Sequence, residues 1–395
     1  MAKTLEHHAE EIFAANKTDL TRSTEESVAP PLLKRLVFDK TKLAAVTQGL
    51  RQLANMEDPL RRTQLTRELD TGLVLKKVSC PIGVIGMIFE SRPDALVQIA
   101  GLCAKSGNAV ILKGGREAME SNRILSELLY QAGCSAGLPE GWLTLVETRE
   151  EVSQLLHQHD DIDLIIPRGS NEFVQYIMKN TTIPVLGHAD GICHVYIDDQ
   201  ANTDMAVNIA VDSKTQYLAV CNAAETLLVH REAAVKVLPL VFEAMSTAGV
   251  EVRGCEKTRA VVPALPATEE DWAEEYLDAV IAVRVVDSLE QAIEHINTYG
   301  SGHTDAIVTD SEVNARQFIS AVDTANAFWN ASTRFADGFR YGLGAEVGIS
   351  TGKIHARGPV GIEGLMIYQW QLFGTGQIVA PYASGSKRFT HRDIS

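Results

Sequence analysis

Short apolar runs alternate with amphipathic segments through the middle of the chain. The run "NAVILKGG" (108–115) has the length of a buried strand. It stands between two helical patterns, "DALVQIAGLCAKSG" (94–107) and "EAMESNRILSELLYQAG" (117–133), each of which a glycine closes. Strands and helices that alternate with short polar joints are typical of βαβ units, which build a mostly parallel sheet. We therefore predict an α/β domain over roughly residues 80–190.

A second series of the same kind begins near "GICHVYIDD" (191–199) and reaches the strand pattern at 305–310. Ahead of both series, residues 30–55 predict one amphipathic helix that two prolines open. The aromatic, strand-like C-terminal segment from residue 367 on pairs in pattern with residues 64–79. Together they predict a hairpin-type appendage, and such ribbons often pair between subunits because a lone one is marginally stable.

Composition limits the partners and the compartment. A length of 395 residues suits two or three domains, and 45% hydrophobic residues is ordinary for a globular protein. A formal charge of −15 disfavours a nucleic-acid partner. No window approaches the about twenty apolar residues of a membrane span. The N-terminus has the features of neither a signal nor a transit peptide. We expect a protein of the cytoplasm that binds neither nucleic acid nor membrane.

The cysteines are scattered, without a CxxC pair or a regular spacing. They are Cys80, Cys103, Cys134, Cys193, Cys221 and Cys255. This pattern indicates reduced thiols and argues against a structural zinc site. Because His7 and His8 have no third ligand near them in the sequence, we predict no metal.

Cys221 lies at the start of an apolar run, in "QYLAVCNAAETLLVH" (216–230). One interpretation makes it a small hydrophobic side chain in a core, since free cysteine is among the most buried residue types. The other makes it a nucleophile beside backbone N–H groups that can stabilise an oxyanion, a role that calls for an exposed, activated thiol. The segment by itself leaves both interpretations open.

Longer strings carry a resemblance to a known family. They are "CPIGVIGMIFESRPD", "ILKGGREA", "IDLIIPRGS", "GHADGICHVYID", "CNAAETLLVH", "VVDSLEQAIEHINTYGSGHTDAI" and "NASTRFADGFRYGLGAEVGISTGKIHARGPVGIEGL". On these strings the chain resembles the gamma-glutamyl phosphate reductases (glutamate-5-semialdehyde dehydrogenases) of the aldehyde dehydrogenase superfamily. Several strings are similar to the reductase half of pyrroline-5-carboxylate synthase. Whether the chain is free-standing or a module of such a bifunctional synthase stays open.

The resemblance implies an α/β, aldehyde dehydrogenase-like fold in three parts. A Rossmann-like NADP-binding domain would comprise residues 1–63 and 80–190, and an α/β catalytic domain residues 191–366. Residues 64–79 and 367–395 would form a small oligomerisation ribbon. We accordingly expect a homo-oligomer.

The resemblance also assigns the chemistry. It implies that Cys221 is the nucleophile that forms a thioester, next to Asn222, with Arg92 stabilising the oxyanion or the phosphate. Oxidising relatives carry a water-activating glutamate where this chain reads "IPVLGHADG" (183–191), in which the matching place has no acid. Without that base the thioester is kept for reduction by hydride. His188 in this segment is either a general acid or a structural histidine.

Cofactor residues follow from the same resemblance. Lys113 ends a buried strand where the superfamily places its cofactor lysine. Three residues on, Arg116 stands where NAD-preferring relatives carry an acid, and an arginine pairs with a 2′-phosphate, so we expect NADPH. Gly169 and Ser170 precede a helix whose N-terminal amides would hold the pyrophosphate, unless they are an ordinary helix cap. Glu275 matches the region that holds the nicotinamide ribose.

A substrate with a carboxylate and a phosphate needs basic side chains in its pocket. The further candidates are Arg168, Arg334 and Arg357, each of which could equally be a structural ion pair. Glu346 lies in a glycine-rich loop that we expect over the site. His303, in "GSGHTDAI", is a family marker whose role stays open, and bracing the turn is one interpretation.

The sequence therefore predicts a reductase that converts L-glutamyl 5-phosphate to L-glutamate 5-semialdehyde with NADPH in proline biosynthesis. Two alternatives remain. One is oxidation of a small aldehyde to a free acid, which needs a hydrolytic carboxylate. The other is a catalytically silent scaffold or partner of a glutamate kinase.

Overall fold

Helices and strands alternate along the chain in a computed structural model that describes residues 1–187 and 190–394. The helices are α1 (Ala2–His7), α2 (Ala9–Glu25), α3 (Pro30–Leu36), α4 (Lys40–Asn55), α5 (Pro93–Ser106), α6 (Met119–Ser135), α7 (Arg149–Leu155), α8 (Asn171–Lys179), α9 (Thr203–Thr215), α10 (Arg231–Thr247), α11 (Glu256–Arg259), α12 (Leu289–Tyr299), α13 (Glu312–Ala321) and α14 (Ala380–Ala383). Short 3-10 helices occupy Arg116–Ala118, Glu270–Ala273, Thr333–Phe335 and Ile362–Leu365.

The strands are β1 (Thr63–Asp70), β2 (Leu73–Pro81), β3 (Val84–Phe89), β4 (Ala109–Lys113), β5 (Leu143–Val146), β6 (Leu164–Arg168), β7 (Cys193–Ile197), β8 (Ala224–His230), β9 (Glu251–Gly254), β10 (Leu265–Pro266), β11 (Val280–Val286), β12 (Thr304–Val308), β13 (Asn326–Trp329), β14 (Gly348–Ser350), β15 (Gly358–Val360), β16 (Met366–Phe373) and β17 (Arg392–Asp393). β14 and β15 form a small antiparallel pair. The other strands belong to three sheets.

The first sheet is parallel, with the order β5-β4-β3-β6. Its central strand β3 aligns Ile85 with Val110 on one side and with Leu164 on the other. The helices α5 and α6 pack on this sheet and bury a core that includes Met87, and Gly107 ends α5 in the left-handed conformation. The predicted α/β unit over the first half of the chain is present.

The second sheet is also parallel, with the order β10-β9-β11-β8-β7-β12-β13. Every residue of β7 and β12 is buried, as is usual for strands that helices cover on both faces. Because β8, β7 and β12 are parallel neighbours, their amino ends meet at one edge of the sheet. The segments that precede these strands are therefore brought together.

The third sheet is antiparallel, with the order β16-β2-β1-β17, and joins residues near 70 to the C-terminal segment. Apolar side chains of β16 are exposed, namely Ile367, Tyr368, Trp370, Leu372 and Phe373. Among the described residues, no helix is long and apolar enough to cross a membrane.

Two of the predicted helix boundaries are wrong. The helix expected over 30–55 is divided into α3 and α4, because Asp39 accepts a hydrogen bond from the backbone N–H of Lys42 at 2.9 Å and so caps a new helix start. Gly133 does not end α6, which continues to Ser135. A Cβ atom at Gly133 would lie 2.6 Å from the Trp142 indole, so this glycine serves a close packing contact instead.

Candidate active site

Two edges of the parallel sheets face each other around Cys221. Cys193 begins β7, Cys221 lies three residues ahead of β8, and His303 directly precedes β12, so all three stand at the amino edge of the second sheet. Arg168 ends β6 at the carboxyl edge of the first sheet, close enough to Cys221 to influence its pKa. The candidate site is the region between these two edges.

The thiol of Cys221 contacts His303. Cys221 Sγ lies 3.2 Å from His303 Nε2, and His303 Nδ1 lies 2.8 Å from Thr304 Oγ1. The His303 side chain is completely buried. The thiol of Cys193 donates to the Cys221 carbonyl oxygen at 3.2 Å, which ties β7 to the backbone of the candidate nucleophile.

The resting thiol of Cys221 is protonated. Burial raises the pKa of Cys221 to about 12; the Glu275 and Glu346 carboxylates act in the same direction, and the Arg168 guanidinium opposes them. The expectation of an exposed, activated cysteine is therefore wrong for the resting site, in which Cys221 is only partly accessible. A partner that accepts the thiol proton is needed before this sulfur can react.

Gly191 allows the chain to pass close to Cys221. A Cβ atom at Gly191 would lie 2.2 Å from the Cys221 carbonyl oxygen and 2.4 Å from its Cα atom, distances that no real side chain tolerates. Glycine is thus required at this position for the backbone of Cys221 to lie where it does.

Asn222 holds the neighbouring loop. The Asn222 side-chain amide donates to the Ala336 carbonyl oxygen at 2.9 Å. The backbone carbonyl oxygen of Asn222 accepts from Thr333 Oγ1 at 2.8 Å. These contacts fix the 3-10 turn that carries Arg334. The Asn222 Oδ1 atom is buried without a hydrogen-bond partner in the described part of the chain.

Two guanidinium groups, those of Arg168 and Arg334, interact electrostatically with the Cys221 thiol. Burial lowers the pKa of Arg168, and the nearby Arg92 lowers it further. Arg334 is buried and donates to Gln216 Oε1 at 2.9 Å; burial lowers its pKa, Arg340 adds to this effect, and Cys221 opposes it.

Three other predicted residues have definite partners. Glu346 accepts from the Gly338 N–H at 2.8 Å, and burial raises its pKa against the opposing effect of Arg168. Arg92 lies 3.6 Å from Asp94. Arg357 pairs with Asp323 at 3.0 Å, the structural ion pair that the sequence left open.

Glu275 joins the two halves of the site. Asn171, at the start of α8, donates to Glu275 Oε2 and to Asp190 Oδ1, both at 2.7 Å. Burial raises the pKa of Glu275, which also acts on Cys221. The absence of an acid that we inferred at the matching place, residues 185–188, thus does not extend to the rest of the site. His188 of that segment lies outside the described residues.

The residues predicted to hold a dinucleotide lie around the carboxyl edge of the first sheet. Lys113 ends β4 and donates to the Gly114 carbonyl oxygen at 2.5 Å. The Arg116 side chain is 80% exposed, with its guanidinium 3.7 Å from Glu26. The adjacent acid, Glu117, accepts hydrogen bonds from the backbone N–H and hydroxyl of Ser91 at 2.5 and 2.7 Å. An ammonium and an exposed guanidinium fit an anionic dinucleotide.

The start of α8 carries an anion already. The Ser170 N–H points to Glu90 Oε2 at 3.3 Å, and a Cβ atom at Gly169 would lie 2.8 Å from the same oxygen. Burial raises the pKa of Glu90. A pyrophosphate at this helix terminus therefore requires the Glu90 carboxylate to move or to take up a proton.

Sequence reasoning did not anticipate Asn171 or Glu90, and it left His303 open. Asn171 directly follows Ser170, and Glu90 lies within the segment CPIGVIGMIFESRPD. The signal that could have found them is that both lie in or beside segments that resemble the family. Among residues 1–187 and 190–394, no group of histidine, cysteine and acidic side chains is arranged to hold a metal ion.

Comparisons with known proteins agree on one family. Residues 3–267 match the model of the aldehyde dehydrogenase family. A gamma-glutamyl phosphate reductase of Acetivibrio thermocellus is 58% identical over 100% of this chain and 92% of its own length. One of Pelotomaculum thermopropionicum is 60% identical over 100% and 91%. The crystal structure of a Thermotoga maritima gamma-glutamyl phosphate reductase has a TM-score of 0.93 at 39% identity, covering 95% of this chain and 92% of that one.

Proposed function

Because the chain belongs to the aldehyde dehydrogenase family and, within it, to the gamma-glutamyl phosphate reductases, we propose that it reduces L-glutamyl 5-phosphate to L-glutamate 5-semialdehyde with NADPH. The chain is an oxidoreductase that uses a nicotinamide cofactor on a small-molecule substrate. The observation that carries the finer proposal is the electrostatic interaction of the Cys221 thiol with two arginines, Arg168 and Arg334.

The arginines suit the charges of an acyl phosphate. Arg168 and Arg92 are neighbours, so together they neutralise a phosphate dianion at the carbonyl that Cys221 attacks. Arg334 is available for the α-carboxylate. A guanidinium binds a carboxylate or a phosphate with two parallel hydrogen bonds, which fixes orientation as well as charge.

Cys221 then forms the covalent intermediate. Its sulfur attacks the acyl carbon, the bond from that carbon to the phosphate oxygen breaks, and phosphate leaves as a thioester remains on Cys221. The backbone N–H of Asn222 is the proposed donor to the oxyanion, because the next N–H, that of Ala223, donates to the Val220 carbonyl oxygen. A bound NADPH supplies the hydride that reduces the thioester, after which the aldehyde departs and the thiol is restored.

Lys113, Arg116 and the start of α8 support the choice of NADPH. The Arg116 side chain is exposed and would exchange its 3.7 Å ion pair with Glu26 for a 2′-phosphate, whereas the neighbouring Glu117 is engaged by Ser91. An acid directed at the ribose would repel that phosphate. Glu275, which Asn171 holds beside the thiol, is the remaining proposed contact to the cofactor.

Among the described residues near the thiol, the two carboxylates that act on Cys221 already accept hydrogen bonds, which disfavours hydrolysis of the thioester. The segment 183–187 contains no acid, while Glu275 and Glu346 are each engaged in a hydrogen bond. A thioester that survives water is what a reductase requires.

The ribbon and the supply of substrate complete the proposal. The exposed apolar side chains of β16 suit a ribbon, residues 64–79 and 367–395, that pairs subunits in a homo-oligomer. The parts assigned to cofactor binding (1–63 and 80–190) and catalysis (191–366) then meet at Cys221.

An acyl phosphate hydrolyses in water, so a glutamate kinase is the proposed source and partner.

The reverse reaction tests the proposal. We expect reduction of NADP⁺ with pyrroline-5-carboxylate to depend on added phosphate and to disappear in Cys221→Ala. Cys134→Ala, at a partly buried cysteine of α6 away from the site, is the matched control and should retain activity. Equal rates with and without phosphate, or an active Cys221→Ala enzyme, would refute it.

A further inference from the structure

His303 presents one ring nitrogen to the reacting sulfur. Its Nε2 atom lies 3.2 Å from Cys221 Sγ, within hydrogen-bond reach for a thiol. The contact is built into the fold, because His303 directly precedes β12 and β12 pairs with β7, which in turn pairs with the strand that follows Cys221. The His303 ring is fully buried, so bulk water does not compete for the thiol proton.

The other ring nitrogen of His303, Nδ1, lies against Thr304 and Cys193. Asn326 donates through Nδ2 to the His303 carbonyl oxygen and to Thr304 Oγ1, while its Oδ1 accepts from Tyr341. Thr304 Oγ1 keeps a lone pair for His303 Nδ1 at 2.8 Å. The Cys193 thiol already donates to the Cys221 carbonyl, so its sulfur, 3.6 Å from Nδ1, is an acceptor as well. In the tautomer that has its proton on Nδ1, this N–H donates to Thr304 Oγ1 and the Nε2 lone pair faces the Cys221 thiol.

We propose that His303 is a catalytic residue, the base that takes the thiol proton of Cys221 when the sulfur attacks the acyl group. The inference rests on the proposed function for its substrate. As the sulfur–carbon bond forms and the carbon–oxygen bond to phosphate breaks, the proton moves from Sγ to Nε2. It stays there through reduction and returns to Sγ when the aldehyde leaves. Water supplies the one proton that the released phosphate takes up.

The charges around the thiol explain why a base is needed. Burial is the main cause that raises the pKa of Cys221 to about 12; Glu275 and Glu346 also disfavour a thiolate, and Arg168 favours it. A thiol with that pKa is ionised in only roughly one molecule in ten thousand at pH 8. Asp305, which follows Thr304, and Glu225, which pairs with Lys214, are charged groups near this edge that act on Cys193. Transfer to a nitrogen in contact with the sulfur avoids a separate, unpaired thiolate.

The test measures thiol reactivity without substrate. Iodoacetamide alkylation of Cys221, followed by peptide mass spectrometry to separate Cys221 from Cys193, is compared in the wild-type chain and in His303→Gln. Glutamine retains a polar group at the ring position but does not take up a proton. We expect the alkylation rate of Cys221 to fall roughly a hundredfold, the lower end of what a general base contributes.

A matched pair at the next residue guards against misfolding. Thr304→Val removes the acceptor for Nδ1–H with little change in shape, and Thr304→Ser keeps it. We expect about a tenfold slower alkylation in Thr304→Val and a rate within about twofold of wild type in Thr304→Ser.

Two outcomes would overturn the inference. One is a folded His303→Gln protein that is alkylated at the wild-type rate. The other, if that variant does not fold, is equal alkylation in the two Thr304 variants. Because alkylation needs no acyl phosphate, these results are independent of the phosphate-dependent assay that decides the proposed function.

Discussion

The side-chain amide of Asn171 reaches from the first residue of α8 to Glu275, with 2.7 Å between Nδ2 and Oε2, and so links the start of α8 to the thiol side of the site. The same amide holds Asp190. Burial raises the pKa of Glu275, and the hydrogen bond from Asn171 opposes this effect. The Glu275 carboxylate in turn raises the pKa of Cys221. A substitution at Glu275, which is distant from Cys221 in the sequence, is therefore expected to change the reactivity of the thiol.

We expect Glu275→Gln to accelerate alkylation of Cys221 by iodoacetamide. The substitution removes a carboxylate that raises the pKa of Cys221, while a side-chain oxygen remains for Asn171. Loss of one nearby charge should give roughly a threefold to tenfold faster reaction. Glu274→Gln changes the net charge equally at an exposed neighbour and should leave the rate unaltered. Equal rates in both variants would contradict the prediction.

Gly191→Ala should disable the enzyme without unfolding it. The new methyl group would lie 2.4 Å from the Cys221 Cα atom, so the backbone of the nucleophile must shift. A displacement near 1 Å costs about a hundredfold in turnover. The control is Gly187→Ala in the same segment, where the nearest atom is Pro167 Cγ at 3.4 Å. Phosphate-dependent turnover of the two variants at equal melting temperature decides, and comparable activity would argue against tight positioning of Cys221.

Arg116→Ala should reduce the preference for NADPH over NADH. The exposed guanidinium would lose its charge-assisted bonds to a 2′-phosphate, worth about 1.5–3 kcal/mol, so kcat/KM for NADPH should fall roughly tenfold to a hundredfold. The value for NADH should stay within about twofold. Arg123→Ala serves as the control because Glu147 and Glu120 already pair with that arginine. A parallel loss for both cofactors would exclude contact with the 2′-phosphate.

His295 should make the protein less stable in mild acid. Burial lowers the pKa of His295 to about 2, helped by His194 and Arg284, and Arg284 donates to its Nδ1 atom at 2.9 Å. The unfolded chain takes up a proton near pH 6.5 and the folded chain does not. Stability is therefore full above pH 6.5 and falls below it, by up to about 1.4 kcal/mol per pH unit.

Thermal melting between pH 6.5 and 5 checks this prediction. His295→Gln should show a shallower decrease of Tm with falling pH than the wild-type chain. An identical decrease in both proteins would mean that another group is responsible.

Local patterns were sufficient for much of the fold, as at β8, because a strand buried on both faces is a short continuous apolar run. They were insufficient where a distant side chain sets a boundary. Gly133 has the features of a helix end, yet Trp142, which directly precedes β5, packs on it, and α6 continues to Ser135. The helix expected over 30–55 is divided because Asp39 caps the start of α4. The spacing of apolar residues does not reveal this cap.

The sequence by itself determined the fold class, the family and the reactive cysteine as a candidate, since each depends on residues close together in the chain. Only the tertiary structure decided that His303 lies 3.2 Å from Cys221, 82 residues away. It also decided that Glu275 and Glu346 share the site with Arg168. The physical reason is that parallel neighbouring strands bring their amino ends to one edge, whatever the length of chain that connects them.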